Sequence, residues 1–294
     1  MRALARIVAE AHPVRGTRLT VLRGEPPLLL RRTGPAGPGR EAEVHLVGGA
    51  AGPLGGDRLR IEIEVGAGAR LCVRSVAASL ALPAAAGGES RLTVLARVAE
   101  GGRLRWLPEP LIGAAGCDHR TSCVVELAEG AALCWREEVV CGRHAEPVGD
   151  VRLEITARYA GRTLLRTDLA VGPGAAGWSG PAVLGNARAA GSLLLVEPAW
   201  TGSPPPVPPP DDPAVPAGPG VRSPAGGAAP DSAATAVLPL AGGPAVLVSA
   251  LGPQARAVRH RLDQAVAWAG HASGMAIEPA GGNGPRRSSA PGTG

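Results

Sequence analysis

The chain has 294 residues, 45% of them apolar, enough for a sizeable core in one large β domain or two ordinary ones. Its 30 basic side chains are all arginine and outnumber 25 acidic ones, giving a net charge of +5. Arginine and acid alternate along most segments instead of forming a basic block, and aromatic residues make up only 2%, so the stacking platforms and basic stripes of nucleic-acid readers are missing.

Phenylalanine and lysine are absent while Ala, Gly and Pro abound, which reads first as codon bias and only then as function. Residues 1–13 carry Arg2 and Arg6 but no continuous apolar core or small-residue cleavage site, so no secretory signal is expected. Pro and Gly interrupt every apolar run well short of the roughly 20 residues of a membrane span. Cys72, Cys117, Cys123, Cys134 and Cys141 are odd in number and lack paired spacings, which fits reduced thiols. A soluble, cytoplasmic protein is expected.

In chain order, residues 2–10 and 17–32 read as strands joined by a turn at 12–16, the second interrupted at Glu25-Pro26-Pro27. Residues 33–40 are loop, and 44–47 are a short strand leading through glycines to Leu59. From there Leu59, Ile61, Ile63 and Val65 alternate with Arg60, Glu62 and Glu64, the period of a half-buried strand. Further strands are expected at 70–74, 91–98, 103–107, 121–127, 132–140, 151–159 and 163–171, with a short helical or irregular excursion at 77–86. Leu193-Leu194-Leu195-Val196 closes a β domain spanning 1–197. Twelve of the 33 residues from 198 to 230 are proline, so 198–235 reads as a linker or disordered loop. Residues 236–270 then supply one or two strands and a helix that complete the same domain. Pro253 stands at the helix start, with Ala255, Val258, Leu262, Ala265, Val266 and Ala269 at helical spacing and Gly270 as the stop. Residues 271–294 read as a mobile tail.

An internal repeat underlies the strands. Segments 65–71, 98–104 and 127–133 share an apolar first residue, Gly68, Gly101 or Gly130 at the fourth place, and Leu at the seventh. Three copies at unequal spacing leave two forms open, a β-solenoid and a sandwich of hairpins. The expected class is mainly β: a large sandwich or solenoid-like stack with a short excursion and one C-terminal helix.

Candidate chemistry is sparse. Cys117, His119, Cys141 and His144 are soft or borderline ligands, but their spacing is not that of a closed zinc site, and no stable metal centre is expected. There is no Gly-x-Ser-x-Gly elbow and no Walker loop. Asp57, after two glycines at a strand entrance, suits either a turn cap or a functional carboxylate. Glu137-Glu138 interrupts an apolar strand, so one of the pair must point inward, where a carboxylate needs a partner, an ion or water. A small-ligand or carbohydrate-binding β module and a Cys-dependent enzyme are the competing classes.

The ordered markers Gly55-Gly56-Asp57, Leu59-Arg60-Ile61-Glu62-Ile63, Gly68-Ala69-Arg70-Leu71, Leu104-Arg105-Trp106-Leu107-Pro108-Glu109-Pro110-Leu111-Ile112, Gly116 and Gly142-Arg143 resemble the urease accessory protein family UreD, also called UreH. Asp168-Leu169 and Gly191-Ser192-Leu193-Leu194 are weaker matches. The chain departs from the family after Leu71, where a Thr-Thr pair followed by Lys and Tyr is usual, and after Arg143, where Gly149-Asp150 is the nearest equivalent of a Gly-Glu pair. The resemblance implies a mostly β scaffold that is not itself an enzyme and binds no cofactor tightly. It implies a hetero-oligomer with UreF and the GTPase UreG, docked on apo-urease, through which a nickel ion passes in transit. By position, Asp57, Ser75, Glu138, Asp150 and Asp168 are the nickel-passage candidates it implies, since oxygen ligands hold nickel loosely. Gly55, Gly56, Trp106, Pro108, Glu109, Pro110, Gly142 and Arg143 are then structural or partner-facing, and the C-terminal helix is the expected surface for UreF.

Overall fold

The computed structural model describes residues 1–14, 16–34, 37, 40–200 and 233–272. The proline-rich stretch 201–232 and residues 273–294, expected above to be loop and tail, lie outside them. Among the described residues the elements are β1 (Arg2–His12), β2 (Gly16–Gly24), β3 (Leu28–Thr33), β4 (Ala42–Gly48), β5 (Arg58–Val65), β6 (Arg70–Ser75), β7 (Ser79–Ala81), β8 (Ser90–Val98), β9 (Arg103–Leu107), β10 (Leu111–Gly113), β11 (Asp118–Leu127), β12 (Ala132–Cys141), β13 (Asp150–Tyr159), β14 (Arg162–Val171), β15 (Ala189–Val196), β16 (Ala234–Leu240), β17 (Ala245–Gly252) and α1 (Ala255–Ala272). None of them is a helix long and apolar enough to cross a membrane.

The repeats are the turns of a β-solenoid. β1, β5, β8, β11 and β13 run parallel in one sheet, with β2 and β14 added antiparallel at its edges. β4, β6, β9 and β12 run parallel in the second, extended by antiparallel β3 on one side and by β15, β17 and β16 on the other. Each glycine turn carries the chain from the first sheet to the second, so its flanking strands pair with neighbouring repeats and not with each other. That rules out the hairpin sandwich. Val65, Val98 and Leu127 stand in register on one side of the turns, Leu71, Leu104 and Leu133 on the other. Gly68, Gly101 and Gly130 all have φ between 65° and 74°, a conformation open to glycine and strained for other residues.

The stretch 17–32 is divided into β2 and β3 at the expected interruption, because Pro26 and Pro27 cannot continue a ladder. Of the two forms open to the excursion at 77–86, the irregular one is present: it contains no helix and holds β7, which pairs with β10, an element too short to register as a periodic segment.

Parallel register converts alternation into layers. Ile61, Val94, Cys123 and Ile155 form one inward row, and Val73, Trp106, Trp135 and Leu194 form a row of the facing sheet. All eight are buried in one core cluster. Trp106 and Trp135 stack with ring centroids 5.1 Å apart and planes 19° from parallel, which places two of the chain's five tryptophans at the centre. On the outer face of the second sheet, α1 lies over β15 and β17, burying Val258, Leu262, Ala265, Val266 and Ala269. The approach is close because β15 offers Gly191: a Cβ there would sit 2.7 Å from Leu262 Cδ1 and 2.9 Å from Val258 Cγ1. Pro253 precedes the helix instead of starting it, and the Gln254 carbonyl accepts the N–H of Val258.

Truncating the centre of this stack should be costly. Trp135→Ala is expected to destabilise by about 3–5 kcal/mol, whereas Glu62→Ala on the solvent face should stay within about 0.5 kcal/mol, read as shifts in urea midpoint at unchanged slope.

Candidate functional site

The end of the coil away from the glycine turns is built differently. There the path from the second sheet back to the first carries the extra strands β7 and β10, which pair with each other and, through β10, with β12. At this end lies a cavity of about 400 Å³. Leu59, Ile61, Leu92, Val94 and Leu153 line it from one sheet and Trp106, Pro108 and Leu111 from the other. The same lining includes Ser75, Glu109, His119, Thr121, Cys123, Glu137 and Glu138.

Glu137 follows Trp135 by two residues on β12 and therefore shares its inward face. Its Oε1 accepts the Cys123 S–H at 3.2 Å, and burial pushes its carboxyl up to about 7, against the lowering effect of that bond. Glu138 occupies the other face of β12, beneath α1, and also contributes to the cavity wall. It is 5% exposed. Its Oε1 pairs with Arg259 Nε at 2.6 Å and Arg136 Nε at 3.0 Å. Burial raises its pKa, an effect that the two guanidinium groups oppose. Ser75 accepts the Glu109 N–H at 2.8 Å and donates to Ala77 O at 3.0 Å, pinning the Pro108-Glu109-Pro110 segment to the end of β6.

His119 is fully committed to the fold. Ser90 Oγ donates to Asp118 O at 3.2 Å, so the same oxygen accepts from His119 Nδ1 at 2.8 Å, and Thr121 Oγ1 donates to Nε2 at 3.0 Å. Burial pushes this imidazole down to about 4, leaving it neutral. Cys117 and Cys141 are buried and His144 is exposed; among the described residues no three of His, Cys, Asp and Glu gather as a metal-holding group. Burial raises the Cys117 thiol to about 11 and the Cys72 thiol to about 12, the reverse of what a thiolate nucleophile requires.

Of the passage candidates, Ser75 and Glu138 meet at the cavity; Asp57, Asp150 and Asp168 do not line it. Asp57 caps the turn that leads into β5, accepting the Leu54 N–H at 2.9 Å and the Met1 ammonium at 2.7 Å. Burial disfavours its ionised form, but these bonds prevail and hold the carboxyl below its usual range. Asp150 accepts the Gly174 N–H at 2.6 Å. Asp168 pairs with Arg152 on the solvent face of the first sheet. Gly56 has φ of 87° and Gly142 of 79°, and Gly55 sits where a Cβ would lie 2.8 Å from Gly88 O, so these motif glycines shape turns. Arg143 pairs with Glu146 at 2.7 Å on the surface. Glu137 is the inward residue that parity with Trp135 identifies. Arg136, Arg259 and Asp263 carried no local signal, because their partners are remote in sequence.

The raised pKa of Glu137 has a definite sign. Between about pH 4.5 and 7 the folded chain keeps a proton that the unfolded chain has released, so stability falls as pH rises through that window, by up to about 3 kcal/mol once pH exceeds 7. Glu137→Gln should raise the melting temperature over the parent at pH 8 and leave it almost unchanged at pH 4, as scanning calorimetry at the two pH values would show.

Comparison with known proteins agrees with the order of the markers. Residues 1–279 match the family model described as UreD urease accessory protein. A urease accessory protein UreD of Streptomyces avermitilis is 46% identical over 271 residues, covering 92% of this chain and 98% of its own. One from Frankia casuarinae is 43% identical, covering 90% and 88%, and the UreD 3 protein of Streptomyces griseus is 44% identical, covering 90% and 96%. Together with a mainly β solenoid that carries one C-terminal helix, these matches place the chain in the UreD urease accessory protein family, whose members are maturation factors and not enzymes.

Proposed function

We propose that the chain is a cytoplasmic scaffold for nickel insertion into apo-urease, working in a hetero-oligomer with UreF and UreG and letting the ion pass through its interior. The observation that supports this reading is the cavity at this end of the coil, whose largely apolar lining includes Glu109, Glu137 and Glu138 beside Ser75, His119 and Thr121. Carboxylate and hydroxyl oxygens bind nickel less firmly than thiolate or imidazole, which suits transfer better than storage. Glu137 is suited to exchange: its proton leaves near neutral pH, so proton and cation compete for the same oxygen pair. Nickel here is cargo, and the proposal gives the chain no resident metal. The solvent side of α1, where Arg256, His260, Asp263 and Gln264 are exposed, is the proposed seat for UreF.

The test is co-expression of the urease genes with the parent chain, with Glu137→Gln/Glu138→Gln or with Asp168→Ala. UreF and UreG should co-purify with all three, while nickel per urease falls about tenfold or more with the double variant and holds with Asp168→Ala, whose carboxylate faces solvent. Full nickel loading with the double variant would refute passage through the cavity, and failure of the parent chain to co-purify with UreF and UreG would refute the scaffold.

A further inference from the structure

Where the cavity wall meets α1, an arginine occupies the carboxylates. Arg259 extends from the helix so that Nε donates to Glu138 Oε1 at 2.6 Å while Nη1 and Nη2 donate to the Glu109 carboxylate at 3.0 and 3.3 Å. Arg136 approaches the same Glu138 oxygen at 3.0 Å, donates to Asp263 Oδ1 on α1 at 2.8 Å and reaches Pro108 O at 3.3 Å. Glu138 is buried, and its second oxygen, Oε2, has no hydrogen-bond partner among the described residues. Glu109 and Glu138 both line the cavity.

The charges do not balance. Glu109, Glu138 and Asp263 face Arg136 and Arg259, three carboxylates against two guanidinium groups. A buried carboxylate oxygen left without a partner is costly, and a fold under no other demand would supply a donor for it. A guanidinium that bridges two carboxylates takes the place that a divalent cation would occupy between them. Removing it would leave Glu109 and Glu138 with a preformed, partly desolvated oxygen set and one more uncompensated negative charge.

We propose that Arg259 is a built-in stopper: while α1 lies on the second sheet, its guanidinium closes the Glu109–Glu138 pair to a divalent metal ion, and displacement of α1 opens a cation site in the cavity wall. This rests on the passage reading above and adds a closed state to it. The helix is seated by apolar contact as well as by charge. Because Val258 and Leu262 rest against Gly191, a methyl group at that position would press on α1 without removing any charged group; the added Cβ would also lie 3.1 Å from Glu138 Cγ.

The test is calorimetric titration of the untagged full-length chain with Ni²⁺ alone. Arg259→Gln should gain a one-to-one binding event about tenfold or more tighter than any in the parent, Arg259→Lys should behave as the parent, and Arg259→Gln/Glu138→Gln should lose the gain. Gly191→Ala should show the same gain by moving the helix, and it decides the matter if far-ultraviolet circular dichroism finds Arg259→Gln unfolded. A purely structural role for Arg259 would lower melting temperatures without altering nickel affinity. The stopper is overturned if Arg259→Gln and Gly191→Ala titrate like the parent, or if the gain survives Glu138→Gln. That result beside nickel loading that still depends on Glu137 and Glu138 would remove the stopper and leave the passage standing. A nickel-binding Arg259→Gln beside loading that ignores the cavity carboxylates would do the opposite.

Discussion

In-register stacking of the strand, glycine turn and strand repeat is the constraint on which the rest of the molecule depends. Because Val65, Val98 and Leu127 align across the turns, and Leu71, Leu104 and Leu133 align beyond them, the inward positions of the parallel strands fall into rows. A one-residue slip would exchange the two faces along a whole strand. The glycines at the turns allow the tight crossing at one end. At the other end β7 and β10 lengthen the return, pairing with each other and, through β10, with β12, and the cavity opens beyond the Trp106–Trp135 stack of the second sheet. The cavity thus lies at the end that the glycine turns do not close.

Its chemistry follows from where β12 places its side chains. Trp135 seals the stack and Glu137 opens onto the cavity on the same face, while Arg136 and Glu138 face α1. One strand thereby joins the hydrophobic centre, the polar interior and the helix contact. A carboxylate such as Glu137 is held in low-dielectric surroundings that ordinary folding would avoid, and it weakens the fold at neutral pH. Retaining such a cost is characteristic of sites kept for function.

Much of the fold was legible because alternation and turn glycines are local signals. The run from Leu59 to Val65, the three repeats and the apolar stripe of α1 all point to the elements that are present. What local pattern cannot convey is pairing: the same glycine turn serves a hairpin or a crossing between sheets, and only the partners of Val65 and Leu71 decide which. The site was less legible for the same reason. The tension in Glu137-Glu138 was visible, and parity with Trp135 assigns Glu137 inward, but Arg259 lies 121 residues from Glu138 and nothing near either residue announces the contact. Asp57, Asp150 and Asp168 stood out as carboxylates at or near strand ends, and strand ends are also where carboxylates cap turns and answer surface arginines.

The central claim is that a divalent cation can occupy the interior of the coil beside Glu137. Crystals of the chain soaked in a nickel salt, measured at the nickel absorption edge, address it most directly. The account predicts an anomalous difference peak inside the cavity within bonding distance of a Glu137 oxygen, lost in Glu137→Gln crystals; peaks confined to exposed histidines such as His144 and His260 would contradict it.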